Sequence, residues 1–233
     1  MKISGLQKMT LLDYPGRIAC TVFFGGCNFR CPFCHNGEFL DGSAETLMDE
    51  KELLTFLSKR RGLLDAVCIS GGEPTLQPDL GTLLEEIKAM GFLVKLDTNG
   101  SRPQVLKDLT ARGLLDYVAM DIKNCPQLYD RTAGVSVQTE QLEESIRFLL
   151  QESVDYEFRT TVVSQLHDRE SILRMGEWVA SLSRGKRIKR WFVQPFVDRD
   201  TVLFDGLSAP NERQLSEFVG ILSRFSLQSD VRG

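Results

Sequence analysis

Three cysteines with short spacing are the residues of this sequence best suited to chemistry. Cys27, Cys31 and Cys34 form a C-x₃-C-x₂-C pattern directly after an apolar, strand-like run over residues 18–24. Thiolates are soft ligands that suit iron–sulfur clusters or zinc. Because three sulfurs leave one corner of a cubane cluster without a protein ligand, that corner is open for chemistry, as at catalytic zinc sites. The pattern predicts a reactive metal centre rather than a structural one.

The spacing alone leaves three interpretations open: an iron–sulfur cluster, a zinc site and ordinary thiols. A zinc site would usually bring a fourth Cys or His at a matching spacing. His35 directly follows Cys34, which is too close to complete a relaxed tetrahedron. The other cysteines, Cys20, Cys68 and Cys125, are isolated in the sequence. Free cysteine in an apolar run behaves as a small buried hydrophobe, so we expect no ligand among these three.

The composition excludes several classes of protein. The chain has 233 residues, of which 42% are hydrophobic and 26% charged, enough to bury a substantial core. Its net charge of −4 argues against a nucleic-acid binder with a broad basic face. No segment approaches the length of a membrane span, and residues 1–5 lack the apolar run of a signal peptide. Unpaired cysteines without an export signal predict a reducing cytoplasm.

Short apolar runs alternate with amphipathic helical patterns along the chain. Strands are predicted over 18–24, 66–70, 93–97, 117–121, 156–163 and 190–194, and helices over 49–60, 79–90, 103–112, 138–151, 168–183 and 210–224. Strand–helix units imply parallel strands joined by right-handed crossovers. A full eight-unit barrel typically needs about 250 residues. We therefore predict an α/β fold, a partial (β/α)6 TIM-like barrel with parallel strands, in one domain over residues 1–233.

Polar and glycine-rich segments follow the predicted strands. In parallel α/β folds, ligands bind at the carboxyl ends of the strands. Five strand ends should therefore meet on one rim: the cysteine loop, Gly71-Gly72-Glu73-Pro74, Asp97-Thr98-Asn99-Gly100, Asp121-Ile122-Lys123 and Gln194-Pro195-Phe196. Two adjacent glycines permit close approach of the backbone to a ligand, and Pro74 stiffens the turn.

These motifs resemble those of the radical S-adenosylmethionine enzymes. The resemblance rests on the cysteine triplet, with Phe33 before its last cysteine, and on the glycine-rich turn after the second strand. His35 and Asn36 after the triplet, and Asp13-Tyr14-Pro15-Gly16 upstream, narrow it to the activating enzymes that install a glycyl radical on a partner protein. Within that group, the chain most resembles the activating protein of anaerobic ribonucleoside-triphosphate reductase.

The resemblance implies the cofactors and their contacts. Cys27, Cys31 and Cys34 would hold a 4Fe–4S cluster whose fourth iron is chelated by S-adenosylmethionine. The implied cofactor contacts are Phe33, Gly71, Gly72, Glu73, Pro74, Asp97, Thr98, Asn99, Asp121, Arg159 and Gln194. A monovalent cation at Asp97, Thr98 and Asp121 is also implied, with capping of turns or pairing with Lys123 as the alternative. We expect Asp97→Ala to weaken cofactor binding more than folding.

The resemblance also implies the reaction and the partners. S-adenosylmethionine would be cleaved reductively to a 5′-deoxyadenosyl radical, which would generate a glycyl radical on anaerobic ribonucleoside-triphosphate reductase. A flavodoxin or ferredoxin would supply the electron, and Asp13, Tyr14 and Gly16 would meet the partner polypeptide. His167 is expected at the surface. The chain adds helix-rich sequence after Val163 compared with the compact activating protein of the reductase, and we expect partner specificity to differ there.

Three alternatives remain. The partner could instead be pyruvate formate-lyase or another glycyl-radical enzyme. The chain could be a radical enzyme that acts on a small molecule. The third alternative is a non-enzymatic, zinc-binding adaptor.

Overall fold

The computed structural model describes residues 2–40, 46–202 and 204–232. The chain forms two compact units. The first unit comprises Met1–Asn28, Glu38–Thr98 and Gln104–Ala119, and the second comprises Phe29–Gly37, Asn99–Pro103 and Met120–Gly233. The prediction of a single domain over residues 1–233 stays a prediction.

The first unit is built on a mixed sheet. Its strands are β1 (Lys2–Thr10), β2 (Ala19–Phe24), β3 (Met48–Asp49), β4 (Ala66–Gly71) and β5 (Leu93–Thr98). The strand β1 pairs antiparallel with β2 and β3, whereas β2, β4 and β5 are parallel neighbours. The helices are α1 (Glu50–Ser58), α2 (Leu80–Ala89) and α3 (Pro103–Ala111), followed by β6 (Tyr117–Asp121). Buried strands that are almost entirely apolar, such as β4, are expected where both faces of a parallel sheet are covered.

One face of this sheet ends in an apolar cluster at the amino ends of the parallel strands. The cluster contains Tyr14, Ala19, Ala66, Cys68 and Tyr117. The rings of Tyr14 and Tyr117 lie 5.6 Å apart between centroids, a distance typical of a stabilising aromatic pair. The loop between β1 and β2 therefore closes this end of the sheet.

The second unit continues the alternation of strands and helices. Its elements after β6 are α4 (Pro126–Ala133), α5 (Thr139–Leu149), β7 (Asp155–Val162), α6 (Arg169–Leu182), β8 (Ile188–Pro195), α7 (Glu212–Leu222) and β9 (Ser226–Val231). The strands β7, β8 and β9 pair in parallel. None of the described helices is long and apolar enough to cross a membrane.

The predicted α/β class with mostly parallel strands is confirmed. Each predicted strand and helix is present, with its ends shifted by no more than a few residues. The sequence analysis missed β1, β3, β9 and α4. The strand β1 alternates poorly and contains Gly5, and α4 is mostly polar. Hydrophobic periodicity, the main sequence signal for an element, is weak in both segments.

Candidate active site

The glycine-rich turn of the first unit packs against the residues that lead into the cysteine loop. Gly71 lies opposite Phe24 in the parallel register of β4 and β2. The N–H of Gly72 donates to the carbonyl of Phe24 at 2.8 Å, and that of Glu73 donates to the carbonyl of Gly26 at 2.8 Å. A Cβ on Gly72 would lie 2.2 Å from the oxygen of Gly26, so this approach requires glycine.

The first cysteine of the triplet directly follows this contact. The N–H of Cys27 donates to the carbonyl of Leu40 at 3.0 Å, and the N–H of Gly26 donates to the carbonyl of Phe39 at 2.6 Å. Cys27 is therefore held at the end of β2, next to the backbone of the glycine-rich turn. The structure brings these two predicted site segments together.

Glu73 has a structural role at the end of β4. Its side chain is buried, and its Oε1 accepts hydrogen bonds from the backbone N–H of Thr75 at 3.2 Å and from the hydroxyl of Thr98 at 2.8 Å. Glu73 also caps the short 3₁₀ turn Pro74–Leu76. The carboxylate thus joins the carboxyl ends of β4 and β5, and Thr98 is oriented by this bond.

Asp97 forms an ion pair within its own strand. Its Oδ1 lies 2.6 Å from the Nζ of Lys95, and its Oδ2 accepts a hydrogen bond from the hydroxyl of Ser70 at 3.1 Å. The Lys95 side chain is only 2% exposed and that of Asp97 15%. The sequence analysis did not single out Lys95, although it stands two residues before Asp97 on the same face of β5.

The upstream segment predicted to meet the partner polypeptide lies in the first unit. The hydroxyl of Thr21 donates to Oδ2 of Asp13 at 2.5 Å. The Tyr14 side chain is buried in the apolar cluster described above, and Gly16 lies in a turn closed by a bond from the N–H of Arg17 to the carbonyl of Tyr14. Contact of Asp13, Tyr14 and Gly16 with a partner stays a prediction.

In the second unit, the end of α4 supports the rest of the cysteine loop. The N–H of Arg30 donates to the carbonyl of Ala133 at 2.8 Å, and the N–H of Cys34 donates to the carbonyl of Cys31 at 3.1 Å. A Cβ on Gly134 would lie 2.0 Å from the oxygen of Arg30. Although the sequence of α4 is largely polar, the end of this helix packs closely against the backbone of the cysteine loop at Arg30.

Lys123, which the sequence analysis named only as a possible partner of Asp97 or Asp121, lies beside part of the cysteine loop in the second unit. Its Nζ lies 5.9 Å from the centre of the Phe33 ring, and its side chain is mostly buried. Burial by itself would lower the pKa of this lysine, but the thiolate form of Cys31 and the Asp121 carboxylate raise it. A positive charge beside two thiols suits a thiolate-ligated cluster. The Asp-x-Lys pattern after β6 is the signal that could have identified it.

Two thiols of the second unit, those of Cys31 and Cys34, carry raised pKa values. Burial raises the pKa of Cys31 to about 11, and the nearby charge of Lys123 opposes this shift. Burial also raises the pKa of Cys34. Both groups are therefore neutral thiols at neutral pH and would release protons on binding a metal centre. No cysteine within the described part of the chain forms a disulfide.

A single metal ion is poorly matched by the arrangement of side chains. Within the described ranges, no three Cys, His, Asp or Glu side chains converge so that they could hold one ion. Structural zinc needs its ligands around one centre, whereas the cysteines of a cubane bind separate irons. Three thiols within eight residues are soft donors of the kind that suit an iron–sulfur cluster.

Asp121 stands between two basic side chains in the second unit. The Nε of Arg159, on β7, donates to Oδ1 of Asp121 at 3.0 Å, and the Nζ of Lys123 lies 3.4 Å from Oδ2. Two other acids, Glu157 and Asp155, lie on the same strand as Arg159. These acids instead pair with Arg232 and with the bases at positions 189 and 190.

Two further predicted cofactor contacts, Asn99 and Gln194, lie in the second unit, the first in a turn and the second on a strand. The side-chain oxygen of Asn99 accepts a hydrogen bond from the N–H of Ser101 at 2.9 Å, which shapes the turn after β5. Gln194 is partly buried near the end of β8, opposite Thr161 of β7. A role of either residue in cofactor binding stays a prediction.

The expectation that His167 lies at the surface was wrong. Its side chain is buried, its Nδ1 accepts a hydrogen bond from the N–H of Val163 at 3.1 Å, and its Nε2 lies 2.7 Å from the carbonyl of Lys123. These partners require a neutral ring with the proton on Nε2, and burial lowers the pKa of His167 accordingly. The histidine fixes the backbone that carries Lys123.

Comparison with known proteins gives a consistent picture. Residues 21–175 match the family described as the Radical SAM superfamily. The chain is 31% identical, over 235 residues, to a Methanocaldococcus jannaschii protein provisionally named a glycyl-radical enzyme activating enzyme, covering 96% of this chain and 92% of that one. It is 25% identical, over 244 residues, to the pyruvate formate-lyase 1-activating enzyme of Escherichia coli, with 96% of each chain covered.

A solved structure supports the fold. Streptococcus suis SuiB bound to S-adenosylmethionine matches with a TM-score of 0.67 at 15% identity, over 91% of this chain and 52% of that one. Enzymes of the superfamily use a 4Fe–4S cluster and S-adenosylmethionine. The chain therefore belongs to the radical S-adenosylmethionine superfamily and, within it, to the glycyl-radical enzyme activating enzymes.

Proposed function

We propose that Cys27, Cys31 and Cys34 bind the cluster and that the chain activates anaerobic ribonucleoside-triphosphate reductase. The cluster held by Cys27, Cys31 and Cys34 would supply the electron for reductive cleavage of S-adenosylmethionine to methionine and a 5′-deoxyadenosyl radical, and this radical would take a hydrogen atom from a glycine Cα of the partner. The chain itself binds and orients the reactants and excludes water.

The observation that carries the proposal is the contact between the glycine-rich turn and the lead-in to Cys27. Because the Gly72 Cα lies against the carbonyl of Gly26, the backbone of Gly71–Glu73 is fixed beside the first cluster ligand. In this proposal the turn presents backbone oxygens to the methionyl amino group. Glu73 acts through its capping bonds rather than by touching the cofactor.

Two basic side chains of the second unit, Arg159 and Lys123, have separate roles in the proposed function. Arg159 offers a guanidinium to the methionyl carboxylate, since guanidinium matches carboxylate geometry. Lys123 adds positive charge beside Cys31 and Cys34, which favours the thiolate forms that bind iron. Phe33, which is buried near Lys123, helps to keep water from the cluster.

Two glycyl-radical enzymes are candidate partners of this chain. The motifs around the cysteine triplet support the reductase. The similarity to the Escherichia coli pyruvate formate-lyase 1-activating enzyme over 96% of both chains supports pyruvate formate-lyase as the second candidate. In either case, a flavodoxin or ferredoxin is the proposed electron donor.

The test combines the anaerobically reconstituted enzyme with S-adenosylmethionine, a reductant and each candidate partner separately. We expect a glycyl-radical doublet by electron paramagnetic resonance with the reductase. A doublet with pyruvate formate-lyase alone would overturn the choice of partner. Failure of the reduced, cluster-loaded enzyme to cleave S-adenosylmethionine would overturn the proposal as a whole.

A matched pair of variants tests the ligand assignment. Cys31→Ala should lose the cluster, and with it both the visible absorbance and the cleavage of S-adenosylmethionine. Cys68→Ala, at another buried cysteine in the middle of β4, should keep its iron content. Equal iron loss in both variants would contradict the assignment of Cys31.

A second pair tests the glycine-rich turn. Gly72→Ala forces the backbone away from Gly26, and over-packing of this kind costs typically about 1–3 kcal/mol. We expect it to weaken binding of S-adenosylmethionine, measured by anaerobic titration calorimetry. Gly220→Ala in α7 is the control, because a Cβ there meets nothing within 4 Å.

A further inference from the structure

Lys95 and Asp97 form a closed ion pair that bears on the cation predicted at this strand end. The inference concerns Asp97 as a cofactor contact and therefore rests on the proposed function. Cys68 of β4 lies opposite Lys95 of β5, so the lysine points to the face of the sheet that carries Ser70 and Asp97. At 2% exposure, its ammonium is almost completely removed from water.

Burying an ammonium is costly unless it is paired and hydrogen-bonded. The 2.6 Å contact with Oδ1 of Asp97 provides the pair, and Ser70 donates to the other carboxylate oxygen. Both oxygens of Asp97 are therefore already engaged by groups of the first unit. A metal ion on this carboxylate would have to approach a fixed positive charge, and like charges in a poorly solvated site repel strongly.

Asp121, the other acid of the predicted cation site, shows the same feature within the second unit. Arg159 and Lys123 both lie within ion-pair distance of it. Each of the two carboxylates is thus accompanied by cations of the chain. The residues do not fit a site that recruits a monovalent ion from solution.

We infer that Lys95 is a built-in cation that neutralises Asp97, so that this enzyme needs no monovalent metal ion to bind S-adenosylmethionine. The ammonium supplies the positive charge and, through its bond, fixes the rotamer of Asp97. Lys95 acts through Asp97 and is a positioning residue.

The test uses the cluster-loaded enzyme in two buffers of equal ionic strength, one with potassium chloride and one with tetramethylammonium chloride. Two quantities are measured in each buffer: the affinity for S-adenosylmethionine by anaerobic calorimetry, and the urea midpoint of unfolding. For the unaltered enzyme, we expect both to be the same in the two buffers within error. A potassium-dependent gain of about tenfold in affinity, within the usual range of coupling between two ligands, would overturn the inference.

Variants at Lys95 test whether the charge of this lysine replaces a metal ion in binding of S-adenosylmethionine. Lys95→Met should lose about tenfold in affinity in tetramethylammonium and recover part of it in potassium, whereas Lys95→Arg should stay independent of the salt. Lys88→Met is the control, because Lys88 pairs with Asp116 before β6, away from the carboxyl ends of the strands. A Lys95→Met enzyme that binds as tightly as the unaltered one in both buffers would contradict the inference.

The unfolding measurement separates the two proposals. If the unaltered enzyme binds no S-adenosylmethionine in either buffer, the proposed function fails. The inference about Lys95 is then judged by the urea midpoint, which should respond to potassium only in Lys95→Met. A potassium-dependent midpoint in the unaltered enzyme would contradict it without any reference to the cofactor.

Discussion

Asp97 at the end of β5 and Asp121 at the end of β6 are acids in similar sequence positions with different surroundings. Asp97 is 15% exposed, and its base, Lys95, comes from the same strand. Asp121 is 31% exposed, and its bases come from β7 and from the loop after β6. The first is a closed pair within one element, and the second is a more open acid that joins two elements.

A carboxylate at a strand end is therefore not in itself a free ligand. Side chains two residues apart on a strand share a face. An acid that follows a lysine by two residues therefore carries its own counter-ion, and its main contribution is to make the burial of that lysine possible. An acid whose bases come from other elements helps to hold those elements together and remains partly open to solvent.

The largest effect that this comparison predicts is a loss of stability in Asp97→Ala. Removing one partner of a buried ion pair typically costs about 3–5 kcal/mol, because it leaves an uncompensated charge in the interior. Urea denaturation of the cluster-loaded enzyme should show this loss. The expectation from sequence that Asp97→Ala affects cofactor binding more than folding is therefore revised.

A double variant distinguishes a charge effect from a packing effect. In Lys95→Met/Asp97→Ala the buried ammonium is absent, so most of the lost stability should return. If the double variant is as unstable as Asp97→Ala, the lysine does not account for the loss. The closed-pair description would then be incorrect.

Asp121→Asn should have a smaller effect on stability. Hydrogen bonds to charged groups contribute about 1.5–3 kcal/mol, and the neutral amide keeps part of this contribution. Arg159 and Lys123 also retain access to solvent, at 14% side-chain exposure each. The same denaturation experiment should give a smaller loss of stability than Asp97→Ala. An equal or larger loss would contradict the distinction between the closed pair at Asp97 and the more open acid at Asp121.

The sequence predicted those parts of the molecule whose signals are local. The strands β2, β4, β5 and β6 are short, largely apolar runs, and the helices between them show a period of 3.6 residues. The cysteine triplet and the adjacent glycines are likewise local patterns. Their chemistry is determined by residue type and spacing, and the glycine contact with Gly26 follows from the parallel register of β2 and β4.

The features that the sequence analysis missed or placed wrongly depend mostly on contacts between segments distant in the chain. His167 is buried, where the backbone N–H of Val163 donates to its ring and the backbone carbonyl of Lys123 accepts from it, and nothing next to the histidine encodes both partners. Helix α4 is polar, and its place is set by the cysteine loop. Lys95 could have been found, because a lysine in an otherwise apolar strand two residues before an acid predicts a buried pair.

We expect the smallest loss of stability on substitution of a third acid, Asp155, at the amino end of β7. Its side chain is 40% exposed and pairs with Lys189 and Arg190. Such exposed pairs are worth about 0.2–1 kcal/mol, so Asp155→Asn should lose less stability than either variant above. Added salt should reduce the loss further, because exposed charges are screened.

The pH dependence of the stability lost in Asp155→Asn tests whether Lys189 and Arg190 stabilise the charged form of Asp155. Burial acts to raise the pKa of Asp155, but hydrogen bonds from Lys189 and Arg190 outweigh it and hold the pKa below its usual range. A carboxyl with a depressed pKa in the folded state contributes stability above its unfolded pKa of about 3.9 and loses it as the pH falls through the folded value. The difference in unfolding free energy between the unaltered enzyme and Asp155→Asn should therefore be equal at pH 7 and at about pH 5. A difference that has already declined at the lower pH would mean that the two bases do not stabilise the charged form of Asp155.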